Sequence, residues 1–166
     1  MTIAVLGASF DPSHNGHLTI AENVLKSQKA DKVILMPVNI HPFAKKLSNA
    51  SHRLAMAKLL AGNNIEVSDL EIKRGKISYT IDTLNELKKL YPEDHFSWII
   101  GSDQLEKFSK WKSWQYIVND FGIIVAPRDN PVSSSEIRKK IKERKTIKNL
   151  VPEKVEEYIM KNKLYM

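Results

Sequence analysis

The chain has 166 residues, 42% apolar and 27% charged, with six glycines, seven prolines and no cysteine, which excludes disordered, collagen-like and disulfide-rich classes. Lack of cysteine removes thiolate zinc sites, iron–sulfur clusters and cysteine nucleophiles, and fits a reducing compartment. The formal charge of +7 is uneven: Arg138 to Lys148 holds seven bases and one acid, Glu143, a face suited to a polyanion, either a nucleic acid or a phosphate-rich small molecule. For most of these lysines a solvated helix face is the simpler expectation.

Five short runs read as strands in chain order: Ile3 to Gly7, Lys32 to Pro37, Ile65 to Ser68, Phe96 to Gly101 and Phe121 to Ala126. Val33-Ile34-Leu35-Met36 and Ile123-Ile124-Val125 are continuously apolar, as in parallel strands covered on both faces. Helical periodicity falls between them, over Gly16 to Ala30, Ser51 to Ala61 and Ile81 to Leu90. The pattern predicts a doubly wound α/β fold with a five-stranded, mainly parallel sheet and a ligand crevice at the strand carboxyl ends. No apolar run reaches the ~20 residues that span a bilayer. The expectation is one soluble, cytoplasmic domain over residues 1–166.

The first strand leads into Gly7-Ala8-Ser9-Phe10-Asp11-Pro12-Ser13-His14-Asn15-Gly16-His17. Gly7 permits close backbone approach, Asp11-Pro12 makes a turn, and Asn15 or Gly16 opens a helix whose free N–H groups favour an anion. His14 and His17 sit three apart across that helix start, placed to donate to phosphate oxygens, with protonation favoured by a bound polyanion. A metal pair is the rival reading, but no third ligand lies nearby in sequence. Late in the chain, Ser133 has the position of a helix cap, with Glu136 completing a capping box. Ser134, Ser135 and Arg138 then complete a second anion site.

The first segment resembles the signature of the nucleotidyltransferases with an H-x-G-H motif, here His14-Asn15-Gly16-His17. Val132-Ser133-Ser134-Ser135-Glu136-Ile137-Arg138 is similar to their second signature, I-S-S-T-x-I-R. Ser78-Tyr79-Thr80-Ile81-Asp82-Thr83-Leu84, Gly101-Ser102-Asp103 with Phe108 and Trp111, and the stretch from Leu150 to Tyr165 resemble nicotinate-nucleotide adenylyltransferases in particular. The resemblance implies a Rossmann-like nucleotidyltransferase fold and adenylyl transfer from ATP to nicotinate mononucleotide. It further implies that His14, His17 and Arg138 are catalytic, and that Gly7, Ser9, Phe10, Gly16, Gly101, Asp103, Ser133 and Ser134 bind ATP. Magnesium is expected with the ATP, held by phosphates and water, with no protein ligand assigned.

For the second substrate, Thr80 is expected to cap the helix near Ile81, whose N–H groups would receive a pyridine carboxylate. Asp82 belongs to the same segment, Asp103 is placed for ribose hydroxyls, and Trp111 is placed to stack on the ring. Trp98 and Trp114 are expected to pack in the core. Two features depart from the family pattern. Ile40-His41-Pro42-Phe43-Ala44-Lys45-Lys46 replaces the usual P-P-H-K or P-P-H-R, leaving Lys45 as the substitute phosphate contact. The stretch from Asp129 to Val132 is shorter than the usual insertion. Transfer to nicotinamide mononucleotide or phosphopantetheine is the nearest alternative, and a nucleic-acid-binding module ranks below both.

Overall fold

The computed structural model describes residues 1–128 and 131–166; Asp129 and Asn130, in the shortened stretch, lie outside the described residues. Strands β1 (Thr2–Ala8), β2 (Lys32–Pro37), β3 (Ile65–Val67), β4 (His95–Gly101) and β5 (Ile123–Ala126) form one sheet in the order β3-β2-β1-β4-β5. Every pairing is parallel. The expected sheet is therefore present, with β3 and β5 shorter than the apolar runs suggested.

Side chains alternate between two cores. Ala4, Leu6, Val33, Leu35 and Ile99 face α1 (Asn15–Lys26), α2 (Ala50–Lys58), α6 (Ser134–Lys142) and α7 (Glu153–Lys161). Ile3, Val5, Ile34, Met36, Phe96, Trp98 and Ile100 face α4 (Thr80–Leu90). This period of two along continuously apolar strands is what covering both faces requires. In α7, Val155 and Ile159 are both fully buried, each stabilising the fold by about 1.5–3 kcal/mol. That helix, α3 (Leu70–Arg74), α5 (Trp114–Tyr116) and a 3-10 segment over Ser102–Lys110 were not predicted. Phe121 belongs to a wide helical turn, Ile117–Phe121, rather than to β5. Among the described residues no helix is long and apolar enough to cross a membrane.

The strand order reverses direction between β1 and β4, and such a switch opens a crevice outside the strand carboxyl ends. Gly7 and Ala8 end β1 there, Gly101 ends β4 and Ala126 ends β5. Gly7 has a specific reason to lack a side chain: a Cβ on it would lie 2.1 Å from Trp98 Cζ2. Trp98, only 4% exposed, packs as expected and crosses the crevice floor at that point.

Candidate active site

Two adjoining cavities of about 630 Å³ and about 470 Å³ open at the strand ends, sharing Gly7, Ala8, His14, His17, Gln104 and Arg128. The histidine pair thus stands at their junction. His14 caps α1: its Nδ1 accepts from Gly16 N at 3.0 Å, and His17 Nδ1 accepts from His14 N at 3.2 Å. The rings stack with centroids 3.8 Å apart, and Phe10 backs His17 at 4.6 Å. A Cβ on Gly16 would sit 2.8 Å from His14 Cε1, so the residue between the imidazoles is glycine to leave room for the cap.

With both Nδ1 atoms accepting backbone N–H, the proton of each neutral ring is on Nε2, and each ring is a donor. Burial, then the Arg128 charge, lowers His14 to about 4. Burial, then His14, Arg128 and Lys45, holds His17 well below the ordinary range. In the protein without ligand, burial therefore favours the uncharged form of both histidines at neutral pH.

The second anion segment meets the first. Ser133 caps α6 by accepting from Glu136 N at 3.2 Å, one of the two bonds of a capping box. Ser134 Oγ donates to Pro12 O at 2.9 Å, and Arg138 Nη1 donates to Asp11 O at 2.6 Å. Ser133, Ser134 and Ser135 line the second cavity. Arg138 lines neither cavity; it clasps the loop and also donates to Ser135 Oγ at 3.3 Å. Three of the six other bases in the segment have a local acid, Lys139 and Lys145 sharing Glu143 and Lys140 pairing with Glu136, and the segment remains positive.

Lys45 and Ser9 line the second cavity, with Lys45 Nζ 3.5 Å from Ser9 Oγ. Burial and the Arg138 charge lower the Lys45 ammonium from its ordinary value. Phe10 is fully buried, with φ of +52°, a left-handed conformation costly for a bulky residue and held here by packing. Gly101 and Asp103 line the first cavity. Asp103 is already engaged, accepting from Arg128 Nη1 at 2.6 Å.

Thr80 and Trp111 line the second cavity. One expectation fails nearby. Thr80 is the first residue of α4 rather than its cap; Tyr79 holds the cap position and its side chain makes no capping bond. Asp82 stands behind the cavity wall, its carboxylate accepting from Lys112 Nζ at 3.0 and 3.1 Å. Trp111 meets Phe108 edge to face at 5.2 Å, which fixes the indole at the rim.

Several site residues were missed. Arg128 reaches both cavities from the end of β5, and Pro127-Arg128 after an apolar strand was its only signal. Arg53, 1% exposed, donates to the carbonyls of Ser9, Val38, Asn39 and Ser48, tying the loops after β1 and β2 together. Glu71, also 1% exposed, accepts from Thr83 Oγ1 at 2.7 Å, while its Oε2 has no hydrogen-bond partner. Burial pushes its carboxyl above the ordinary range. Among the described residues no three His, Cys, Asp or Glu side chains gather to hold a metal. Asp11, whose oxygens accept from Tyr165 and Ser48, and Asp103 are both occupied.

A family model described as cytidylyltransferase-like matches residues 5–140. The nicotinate-nucleotide adenylyltransferase of Bacillus subtilis is 34% identical, covering 98% of this chain and 97% of its own length. A Methylacidiphilum infernorum relative named "Probable nicotinate-nucleotide adenylyltransferase" is 35% identical over 99% of this chain and 92% of its own. Among solved structures, Plasmodium falciparum nicotinic acid mononucleotide adenylyltransferase complexed with NaAD superposes with a TM-score of 0.83 at 22% identity, covering 99% of this chain and 97% of that one.

Proposed function

The chain belongs to the nicotinate-nucleotide adenylyltransferase family of the cytidylyltransferase-like nucleotidyltransferases, and from that membership we propose that it transfers the adenylyl group of ATP to nicotinate mononucleotide. The products are nicotinate adenine dinucleotide and pyrophosphate. The observation that carries this reading is the meeting of two helix N-termini, those of α1 and α6, through Ser134 and Arg138 on the Asp11-Pro12 carbonyls. Helix starts favour anions, and this pair lies where two cavities join.

In this assignment the adenosine occupies the cavity bounded by Gly101 and Asp103, and the mononucleotide the one bounded by Thr80 and Trp111. The acceptor phosphate oxygen attacks the α-phosphorus as the bond to pyrophosphate breaks. The nucleophile is already an anion, so no general base is required. His14 and His17 donate from Nε2 to oxygens at the reacting phosphorus, while the Ser133 hydroxyl and the N–H groups at the start of α6, that of Ser134 included, receive the departing pyrophosphate. Arg138 holds the two loops together and offers its charge to the same end. Such positioning and charge stabilisation carry most of phosphoryl-transfer catalysis. Among the described residues no cluster of three metal-ligating side chains is present, and in this assignment magnesium enters with the nucleotide, held by phosphates and water.

Charge supports the acid over the amide as acceptor. The mononucleotide cavity is bounded by Lys45, Lys110, Lys112 and Arg128; Asp82 pairs with Lys112 and Asp103 with Arg128, so the excess positive charge comes from Lys45 and Lys110, against Glu71, which burial pushes toward its neutral form. A ring carboxylate adds one negative charge to the acceptor phosphate, and a positive cavity rewards it.

Pyrophosphate release with ATP and a panel of nicotinate mononucleotide, nicotinamide mononucleotide and phosphopantetheine tests the assignment. The nicotinate compound is expected to give the highest kcat/KM. A preference for phosphopantetheine, or turnover of none of the three, overturns it.

A further inference from the structure

Resting on the proposed reaction, we propose that Lys112 selects an acid over an amide on the acceptor ring, its ammonium serving as counter-ion to the ring carboxylate. Lys112 lies in the wall of the second cavity, which Tyr79, Thr80 and Trp111 also line. Its Nζ is fixed from two sides, by the Asp82 carboxylate at 3.0 and 3.1 Å and by the face of Tyr79, 4.7 Å from the ring centroid. Asp82 lies outside the cavity wall. It restrains the flexible lysine and offsets part of its charge, so a ligand in the cavity shares the ammonium with Asp82.

An ammonium has three donors and no acceptor. Asp82 and the Tyr79 face leave donor capacity for a ligand in the cavity. A ring carboxylate would add an ion pair there, whereas a neutral amide carbonyl would accept a hydrogen bond from the ammonium without opposing its charge. Both partners are half-exposed, at 49% and 42% of their side-chain surface, so solvent weakens the pair and the selection is moderate in size. Asp82 acts through Lys112 and is a positioning residue.

The test compares kcat/KM for nicotinate mononucleotide and nicotinamide mononucleotide in the native chain, Lys112→Met and Lys112→Arg. Methionine keeps the length and removes the charge; arginine restores the charge. The acid-to-amide ratio is expected to fall about tenfold in Lys112→Met, mainly through KM for the acid, and to return within about threefold in Lys112→Arg. If the native chain prefers the acid and Lys112→Met keeps that preference, the inference fails while the proposed function stands. If the native chain turns over neither mononucleotide, the proposed function fails and the inference with it. Equal losses for both acceptors, with no rescue by arginine, show a structural role for Lys112 and also overturn the inference.

Discussion

Tyr165 Oη donates to Asp11 Oδ1 at 2.6 Å, joining residues 154 positions apart. The other Asp11 oxygen accepts from Ser48 N at 3.0 Å, and its carbonyl accepts from Arg138 Nη1. One buried aspartate thus gathers the loops after β1 and β2, helix α6 and the segment beyond α7. Tyr165→Phe leaves Asp11 Oδ1 without its donor and is expected to cost about 1–3 kcal/mol, read as a lower urea midpoint. KM for ATP should rise with it, because the carbonyls that hold α6 lose their anchor.

His14 and His17 couple stability to pH. Their folded values lie below the ordinary 6.5, at about 4 for His14, so the unfolded chain binds more protons throughout that window. Their contribution is complete above pH 6.5 and is lost as pH falls toward about 4. His14→Asn keeps a good helix cap without a titrating ring. Its urea-derived stability should fall less than that of the native chain between pH 6.5 and 4.5; identical pH slopes would count against a neutral His14.

For turnover, His17→Ala removes a donor at the junction of the cavities and should lower kcat about 10²- to 10³-fold, with the far-UV circular dichroism unchanged. Near-native kcat would show that His17 does not stabilise the transition state.

Glu71 gives the opposite pH dependence. Its folded value lies above the ordinary 4.5 because of burial, so the folded chain keeps a proton that the unfolded chain has lost. The stability from this residue therefore falls as pH rises from about 4.5 through the raised value. Glu71→Gln should flatten that decline in urea titrations carried upward from pH 4.5.

Gly7→Ala puts a methyl 2.1 Å from the Trp98 indole. Overpacking of this kind costs about 1–3 kcal/mol. Adding Trp98→Phe should recover part of the loss, which a double-mutant cycle on thermal unfolding would register as coupling between the two positions.

The sheet was legible because parallel strands buried on both faces leave continuous apolar runs, as Val33 to Met36 do. Ser133 was legible as a cap because capping is local in sequence. Helix α7 left a weaker trace, Val155 and Ile159 behind Pro152 and Glu153, among many charges. What sequence spacing could not convey was the partner of a side chain. Asp82 has the position of a helix-start acid, but its engagement by Lys112 depends on how the segment after β4 folds back over α4. The Asp103–Arg128 pair likewise depends on β4 and β5 lying side by side. Thr80 was misplaced by one residue because Tyr79 already has extended backbone, with ψ of 131°, and occupies the boundary itself.

The clasp on Asp11 and Pro12 has a consequence for synthesis. Its late fasteners, Ser134, Arg138 and Tyr165, leave the ribosome long after the loop they close, and contacts so distant along the chain form late because loop closure must precede them. A nascent polypeptide can pair β1 with β2 early and still lack an organised nucleotide cradle, so catalytic competence should arrive in one late step rather than grow with chain length.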